Sequence, residues 1–311
     1  MATVIRARAP LRVSFGGGGT DVPPYATEHG GCVLSTTIDR ATYCSLRPRE
    51  DKLIRVKSLD LGILADFSAG DHFAYDGKMD LAKVVLNHFD LDHGADVLIH
   101  SDAPPGSGLG SSSALLVALI TAFAEYKRVA MNAYEVAALA IKMERDDLKI
   151  PGGWQDQYSA AFGGVNWIEF SKDGNLVTPL RLHRSVREEL EYRSILAYVG
   201  RTRLSANILH EQIAGSAQPK GTVKDALDAT KQIAIEMKRA LLVGDWERWG
   251  GLLHRAWHEK KQFSTKVSDP HIDALYEAAR NAGATGGKLL GAGGGGFLYL
   301  FCPAEKKHEV V

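Results

Sequence analysis

The sequence predicts a fold of mixed strands and helices, of the α+β class, and three observations support that prediction. β-rich runs dominate the chain from residue 3 to residue 57. A long apolar helix begins at a glycine- and serine-rich turn near residue 111, and helical stretches follow between residues 204 and 281. Runs of strands and runs of helices that do not alternate regularly along the chain are typical of α+β proteins.

Length and composition indicate a globular protein with room for two domains that share one site. The chain has 311 residues, of which 45% are hydrophobic and 24% charged, and lysine plus arginine balance aspartate plus glutamate at 37 each. Because the charges balance, the protein has no overall electrostatic attraction to nucleic acid or to an anionic membrane. The sequence has no apolar leader or membrane-spanning run, and its 3 cysteines lack metal-binding spacing. We therefore expect a cytoplasmic protein without nucleic-acid or membrane partners.

The individual elements follow from apolar periodicity and from glycine, proline and capping residues. Strands are expected at 3–15, 32–38, 41–46, 53–57, 97–99, 165–170, 176–182, 193–199, 286–290 and 297–302. Helices are expected at 80–87, 111–126, 132–149, between the glycine pairs at 152–153 and 163–164, and at 204–213, 222–242, 246–263 and 270–281. Asn132 and Glu135 have the spacing of a capping box, which supports the helix start there.

The loop P-P-G-S-G-L-G-S-S-S-A at residues 104–114 is the strongest functional signal. It connects a short buried strand to the apolar helix, whose first turn contains only serine. A helix N-terminus presents free N–H groups and the positive end of its dipole, and glycine and serine leave these groups accessible. The pattern predicts an anion site, with simple capping of a core helix as the alternative. Neither the Walker A lysine nor the strand-adjacent glycines of a dinucleotide loop are present.

Two carboxylates after this loop are candidates for chemistry. Glu144 lies on an otherwise apolar stripe of its helix, and a buried carboxylate must find a cation or become neutral. Asp156 lies in the first turn of a short helix, where the helix dipole alone can explain an acidic residue. His254 and His258 are four residues apart, but the lysines around them favour a solvated helix face over a metal site.

Three glycine-containing blocks resemble, in the right order, those of the GHMP small-molecule kinases, the family of galactokinase, homoserine kinase and mevalonate kinase. The loop at 104–114 is similar to the family's phosphate loop. The block P-L-R-V-S-F-G-G-G-G-T-D at 10–21 aligns without a gap with the galactokinase block P-G-R-V-N-L-I-G-E-H-T-D. The block K-L-L-G-A-G-G-G-G-F at 288–297 resembles the C-terminal glycine loop. The residue sequences of these blocks, together with S-T-T-I-D at 35–39, resemble those of the heptose-phosphate branch of the family.

The resemblance implies the GHMP kinase fold. Its N-terminal α+β domain, with a left-handed βαβ crossover, is expected over residues 1–182, and its ferredoxin-like C-terminal domain over residues 183–311. The site would lie between the two domains. Family members usually continue for some tens of residues, so we expect the second domain to be truncated at its end.

The implied activity is phosphorylation of the anomeric hydroxyl of D-glycero-α-D-manno-heptose 7-phosphate, with ATP as donor and Mg²⁺ as cofactor. A kinase of an unphosphorylated sugar is one alternative. A non-catalytic sugar-binding relative is another, although it would be expected to lose Asp156, Glu144 or Ser112, and all three are present. An NAD-dependent enzyme is a distant third alternative. The oligomeric state is left open, and a homo-oligomer is compatible with the sequence.

Carried over position by position, the resemblance assigns roles to individual residues. Asp156 would hold or deprotonate the anomeric hydroxyl, and Arg12 would stabilise the transferred phosphoryl group. Ser112 and Glu144 would ligate Mg²⁺. The ATP phosphates would lie against Pro105, Gly106, Ser107, Gly108, Leu109, Gly110, Ser111, Ser112 and Ser113. The sugar phosphate would contact Asp156 and also Gly16, Gly17, Gly18, Gly19, Thr20, Asp21, Lys288, Gly293 and Gly294. Arg203, which follows the strand that ends at residue 199, is a further candidate for the remote phosphate of the substrate, with a surface ion pair as the alternative.

Gly18 is the position that the resemblance connects to substrate choice. It stands where galactokinases carry the glutamate of G-E-H-T-D, near the terminal hydroxymethyl of the sugar. A carboxylate there would obstruct and repel the phosphate of a heptose 7-phosphate, and glycine removes both penalties. The successive N–H groups of residues 16–19 are also expected to form an anion nest.

Overall fold

The structure, a computed structural model, describes residues 3–201, 206–216 and 221–311. The first part of the chain contains β1 (Ile5–Gly16), α1 (Tyr25–His29), β2 (Gly31–Pro48), β3 (Leu53–Ser58), β4 (Ile63–Ser68), α2 (Asp80–Phe89), β5 (Ala95–Ser101), α3 (Ser111–Lys127), α4 (Ala133–Ile141), α5 (Gln155–Phe162), β6 (Val165–Ser171) and β7 (Gly174–Pro179). A π-helical turn, Lys142–Asp147, extends α4. The second part contains α6 (Arg184–Arg193), β8 (Ser194–Tyr198), α7 (Ala206–Ser216), α8 (Thr222–Val243), α9 (Trp246–Lys261), α10 (Pro270–Asn281), β9 (Gly286–Leu289), β10 (Phe297–Phe301) and α11 (Lys307–Val310).

The first sheet is built around the long strand β2. Its strand order is β4-β3-β5-β2-β6-β7, and β1 also pairs with β2. One edge of β2 pairs with β1 from Ile5 to Gly16, and the other edge pairs with β6 at its start and β5 at its end. β3 and β5 are parallel, so the chain between them, which includes β4 and α2, forms the crossover.

Helix α3 is the buried centre of this first part, as its apolar sequence predicts. Leu116 and Ile120 are fully buried, and Ala118 and Leu119 are 1% exposed. A helix that is apolar nearly all round must be covered on every side. It contacts β1 and β2 of the sheet as well as α2, α4 and α5. The N-terminus of α3 is therefore fixed in place relative to β1.

The second sheet has three antiparallel strands within the described residues, in the order β8-β10-β9. Helices α8 and α9 pack against each other, α9 covers β9, and α8 also contacts β1 and β2. The ring of Phe15 on β1 lies 5.0 Å from that of Trp249 on α9 and 5.3 Å from that of Tyr299 on β10, centroid to centroid. The apolar core therefore continues from one sheet to the other.

The change from one sheet to the other falls between Pro179 and Ser194. This is compatible with the predicted domain boundary at 182/183, which stays a prediction because the core is continuous. In the part of the chain that the structure describes, no helix is long and apolar enough to cross a membrane.

Candidate active site

A cleft of about 700 Å³ lies between the first sheet and the C-terminal glycine loop. Its walls come from β1, the phosphate loop, the π-helical turn, the start of α5, and residues of α7, α9 and β9. Most of the predicted site residues line it, namely Arg12, Gly18, Gly19, Asp21, Pro105, Gly106, Gly108, Gly110, Ser111, Ser112, Ser113, Glu144, Asp156 and Lys288. The structure thus brings together residues from three separated sequence blocks.

The phosphate loop has the backbone that its glycines predict. Gly106, Gly108 and Gly110 have φ values of 75°, 78° and 77°, in the left-handed region that favours glycine. A Cβ on Gly108 would lie 2.7 Å from the carbonyl oxygen of Leu290, so the loop packs tightly on the C-terminal glycine block. Gly110 is the N-cap of α3 and supplies no side-chain cap. The first turn of the helix therefore keeps N–H groups available for an anion.

Arg12 and Asp156 form an ion pair inside the cleft. The Arg12 Nη2 atom lies 2.7 Å from Asp156 Oδ1, and Nε donates to the same oxygen at 2.8 Å. Nη1 donates to the carbonyl of Gly108 at 2.5 Å. The Arg12 side chain is 5% exposed and that of Asp156 21% exposed, so the carboxylate is the more accessible partner. The register of β1 on β2 shifts before Arg12 and after Ser14, and such irregularities often re-aim side chains beside a site.

Glu144 is buried and accepts hydrogen bonds from residues of α3 and α5. Ser112 Oγ donates to Oε1 at 2.9 Å, and Ser113 Oγ and Gln157 Nε2 donate to Oε2 at 2.7 and 2.6 Å. The Arg145 guanidinium lies 3.5 Å from Oε2. These contacts compensate the burial of Glu144, and the Arg145 guanidinium supplies a cation beside it, as expected for a buried carboxylate. The expected role of Glu144 as a Mg²⁺ ligand stays a prediction.

The same donor set nevertheless fits Mg²⁺. Hydroxyl and carboxylate oxygens are hard ligands, and Ser112 Oγ and Glu144 Oε1 are 2.9 Å apart. Within the described ranges, no group of three or more His, Cys, Asp or Glu side chains could hold a metal ion. Mg²⁺ commonly takes only one or two protein carboxylates and completes its shell with waters and substrate phosphates. The π-helical turn that carries Glu144 is itself a feature frequent at functional sites.

Asp21 is held by several hydrogen bonds in the wall of the cleft. Its Oδ1 accepts from the Gly19 N–H at 2.9 Å and from Gln155 Nε2 at 3.0 Å, and its Oδ2 accepts from the Gln155 N–H at 3.1 Å. Burial raises the pKa of Asp21, and the charge of Asp156 adds to this effect. A Cβ on Gly153 would lie 1.9 Å from Asp21 Oδ2, so only glycine fits beside the carboxylate.

Several predicted contact residues support the loops instead of lining the cleft. Thr20 is fully buried, and its hydroxyl donates to Gly17 O at 2.8 Å and accepts from the Cys32 N–H at 3.0 Å. Gly294 donates to the carbonyl of Val267 at 2.9 Å, and a Cβ on Gly293 would meet the same residue at 2.9 Å. The further residues absent from the lining are Gly16, Gly17, Ser107 and Leu109. The expected contacts of these residues with ATP or the sugar phosphate stay predictions.

The anion nest predicted for residues 16–19 is also only partly available. The Gly19 N–H donates to Asp21, so it is not free for a ligand. Gly18 itself lines the cleft and does not have a positive φ. The remaining predicted contact, Arg203, lies outside the described residues. Its neighbour Arg201 forms an ion pair with Asp269.

Sequence reasoning missed residues that the structure brings to the cleft. Lys260 of α9 is 7% exposed and lines the cleft, and Trp257 on the same helix is fully buried. The expectation of a solvated helix face around His254 and His258 was therefore wrong for Trp257 and Lys260. The His254 ring contacts Tyr276 Oη at 2.7 Å, while His258 is exposed. Trp257 lies three positions before Lys260, so the two residues share one face of the helix. This spacing was the available signal that Lys260 is buried. Ser14 and Gln212 also line the cleft and had no sequence signal.

Comparison with known proteins identifies the family. The family model "GHMP kinases N terminal domain" matches residues 78–164, and "GHMP kinases C terminal" matches residues 237–311. The D-glycero-alpha-D-manno-heptose 7-phosphate kinase of Campylobacter jejuni is 38% identical over 99% of this chain and 92% of its own length. An L-fucokinase/L-fucose-1-P guanylyltransferase of Bacteroides fragilis is 27% identical over 96% of this chain but 34% of its own length.

Solved structures agree with this assignment. A D-glycero-D-manno-heptose 1-phosphate kinase from Bacteroides thetaiotaomicron superposes with a TM-score of 0.83 at 32% identity, covering 99% of this chain and 91% of that one. The galactokinase of Lactococcus lactis, at 21% identity and a TM-score of 0.80, shares the fold, with coverage of 99% and 88%. The chain has the GHMP kinase fold and belongs to the GHMP kinase family as a sugar kinase, a phosphotransferase that acts on a sugar hydroxyl.

Proposed function

We propose that this enzyme transfers the γ-phosphoryl group of ATP to the anomeric hydroxyl of D-glycero-α-D-manno-heptose 7-phosphate, giving the 1,7-bisphosphate. The observation that carries the proposal is the Arg12–Asp156 ion pair, 2.7 Å long, between the phosphate loop and Asp21. The printed name of the 38% identical relative supports the choice of sugar. GHMP kinases use ATP as the phosphate donor.

Positioning is the main task of the protein in phosphoryl transfer. The triphosphate would lie on the phosphate loop and on the N–H groups at the start of α3, with its terminal phosphate toward Arg12. Asp156 Oδ2, the carboxylate oxygen that Arg12 does not bond, would accept a hydrogen bond from the anomeric hydroxyl. As that hydroxyl oxygen bonds to the γ-phosphorus, its proton passes to Asp156 and ADP leaves with the electron pair of the broken bond.

Arg12 would serve both reactants. It fixes the direction of the Asp156 carboxylate through two N–H groups, and its charge would stabilise the negative charge on the moving phosphoryl oxygens. Ser112 and Glu144 would hold Mg²⁺, which when bound neutralises charge on the β- and γ-phosphates. Asp21, fixed by Gly19 and Gln155, would accept hydrogen bonds from sugar hydroxyls.

A direct test is an ADP-release assay over a panel of hexoses, heptoses and their terminal phosphates. The proposal expects kcat/KM to be highest for the heptose 7-phosphate, and at least about tenfold above that for the unphosphorylated heptose, since a charged terminal group contributes differential binding. A preference for an unphosphorylated hexose would instead assign the galactokinase- or fucokinase-like alternative. ATP binding without turnover of any sugar would assign the non-catalytic alternative.

A further inference from the structure

Two lysine side chains are buried in the wall of the cleft beside Arg12. Lys260 of α9 is 7% exposed and Lys288 of β9 is 5% exposed, and both line the cleft. Lys260 Nζ donates to the carbonyls of Leu289 and Gly291 at 2.7 and 2.5 Å, and Lys288 Nζ donates to that of Phe15 at 3.2 Å. Among the residues that the structure describes, no carboxylate oxygen lies within 4.0 Å of either amine.

Such an arrangement is costly without an anion. Burying an ammonium group without a counter-charge is unfavourable, and carbonyl dipoles compensate only part of that cost. The two amines also repel each other and Arg12, which is already paired with Asp156. Asp21 acts on Lys288 from a distance, but its oxygens are occupied by Gly19 and Gln155.

A second, independent observation points to a ligand at the same place. The hydroxyl of Ser14, on β1, lines the cleft and is buried without a hydrogen-bond partner in the described chain. Ser14 adjoins Phe15, whose carbonyl holds Lys288, and a Cβ on Gly18 would lie 3.3 Å from Ser14 Oγ. A buried hydroxyl normally finds a partner, so its orphaned state favours a ligand acceptor.

We propose that Lys260 and Lys288, with Ser14, form a phosphate-binding pocket in which the amines exchange backbone carbonyls for phosphate oxygens when substrate is bound. This inference rests on the proposed function. The phosphate has two available sources, the terminal phosphate of the sugar and the γ-phosphate of ATP, which share the same dianionic chemistry. Lysine amines bind phosphate as mobile point charges, which suits either source.

The site also predicts a proton uptake. Burial, with the neighbouring charge of Arg12, lowers the pKa of Lys288 to about 7, and burial also lowers the pKa of Lys260 well below its ordinary range. An arriving phosphate dianion stabilises the protonated amines and raises their pKa. Above pH 7 binding must therefore take up a proton, and affinity falls as the pH rises. Below about pH 6 the phosphate itself loses its second charge, which weakens binding from the other side.

The test is calorimetric binding to the full chain, with Lys260→Gln and Lys288→Met. Gln can still donate an N–H to the carbonyls but carries no charge. Lys261→Met is the matched control, because Lys261 lies on the same helix but points to Asp273. The probes are heptose 7-phosphate against free heptose, and the β,γ-imido analogue of ATP against ADP.

If the variants bind heptose 7-phosphate about tenfold or more weakly than the wild type, and free heptose less than about threefold more weakly, the pocket binds the phosphate of the sugar. The same pattern for the imido analogue against ADP assigns it to the transferred group. If the variants lose affinity equally for all four probes, or for none of them, the proposed phosphate pocket is wrong and the two lysines are structural supports. In the wild type, the affinity for the assigned phosphate should fall by at least about threefold from pH 7 to pH 8.5, and Lys288→Met should weaken that dependence because only Lys260 is left to take up a proton.

These four probes distinguish failure of the pocket from failure of the proposed function. If wild-type protein does not bind heptose 7-phosphate, the proposed substrate is wrong, and the pair of adenine nucleotides still decides the role of the lysines. If wild-type protein binds it and the variants bind it equally well, with the nucleotide affinities also unchanged, the substrate stands and the pocket is overturned.

Discussion

The guanidinium of Arg12 connects Asp156 to the phosphate loop, because it bonds the carboxylate at 2.7 Å and the carbonyl of Gly108 at 2.5 Å. A single side chain therefore sets the position of the proposed acceptor-binding carboxylate relative to the loop that would hold ATP. A Cβ on Gly110 would lie 3.2 Å from that carboxylate, so the loop and Asp156 are also in close contact. Changes at either residue should disturb catalysis more than binding.

Replacement of Asp156 by Asn should lower kcat by roughly 10²–10⁴ and leave the affinity for an ATP analogue unchanged, because the amide cannot accept the proton. Steady-state ADP release and calorimetry measure the two quantities. Asp173→Asn, in an exposed turn, is the control and should have normal kcat. Near-normal turnover in Asp156→Asn would remove this residue from the mechanism.

Replacement of Glu144 by Gln should raise the Mg²⁺ concentration required for half-maximal rate, since a neutral amide is a weaker ligand than a carboxylate. The amide oxygen can take the place of Oε2 and accept from Ser113 and Gln157, and the amide NH2 can donate to the rotatable hydroxyl of Ser112, so the fold should persist. Titration of the rate with Mg²⁺ checks this, with Glu169→Gln on an exposed strand position as control. An unchanged Mg²⁺ requirement would make Glu144 a structural residue held by Arg145.

Replacement of Gly153 by Ala should lower kcat/KM for the sugar by at least about tenfold, because displacement of a positioning group by about 1 Å is costly. The new methyl would lie 1.9 Å from Asp21 Oδ2, which must therefore move. Gly251→Ala on α9 is the control, since nothing lies within 4 Å of its Cβ position. It should keep its kinetics and gain up to about 1 kcal/mol in the free energy of unfolding. Unaltered sugar kinetics in Gly153→Ala would argue against contact between Asp21 and the sugar.

Replacement of Gly18 by Glu should lower kcat/KM for the heptose 7-phosphate by at least about tenfold and harm an unphosphorylated sugar much less. At about 4 Å and an effective dielectric near 20, two like charges repel by about 4 kcal/mol, which solvent access reduces. The backbone permits a side chain, since Gly18 lacks a positive φ and its Cβ would meet Ser14 at 3.3 Å. Gly18→Gln has the same size without the charge and is the matched control. Equal losses for both sugars would show that Gly18 does not face the phosphate.

Local sequence signals predicted the helix starts and the phosphate loop well. α3 begins at Ser111, and Asn132 and Glu135 form the capping box that begins α4. These features depend on residues adjacent in sequence, whose preferences act without the rest of the fold. The two strands predicted at 32–38 and 41–46 are one strand, β2, because β1 pairs with β2 on both sides of its polar centre, although the register shifts there.

Features that depend on distant neighbours were not predicted. The polar helix α6 has only Val186 and Leu190 as apolar contacts with the core, too few to predict a helix. The π-helical turn at Lys142–Asp147 has nearly the periodicity of an α-helix. The burial of Lys260 results from contact with the carbonyls of Leu289 and Gly291, about thirty residues away, so its own sequence context appears solvated. Tertiary packing decides which face of a mixed helix becomes part of a site.

The most direct test of the proposed reaction is ³¹P NMR of the product formed from ATP and D-glycero-α-D-manno-heptose 7-phosphate. We expect a new sugar phosphate signal coupled to the anomeric proton, with the 7-phosphate signal retained and one ADP formed per product. A phosphate on any other hydroxyl, or ADP formed without a new sugar phosphate, would contradict the proposal.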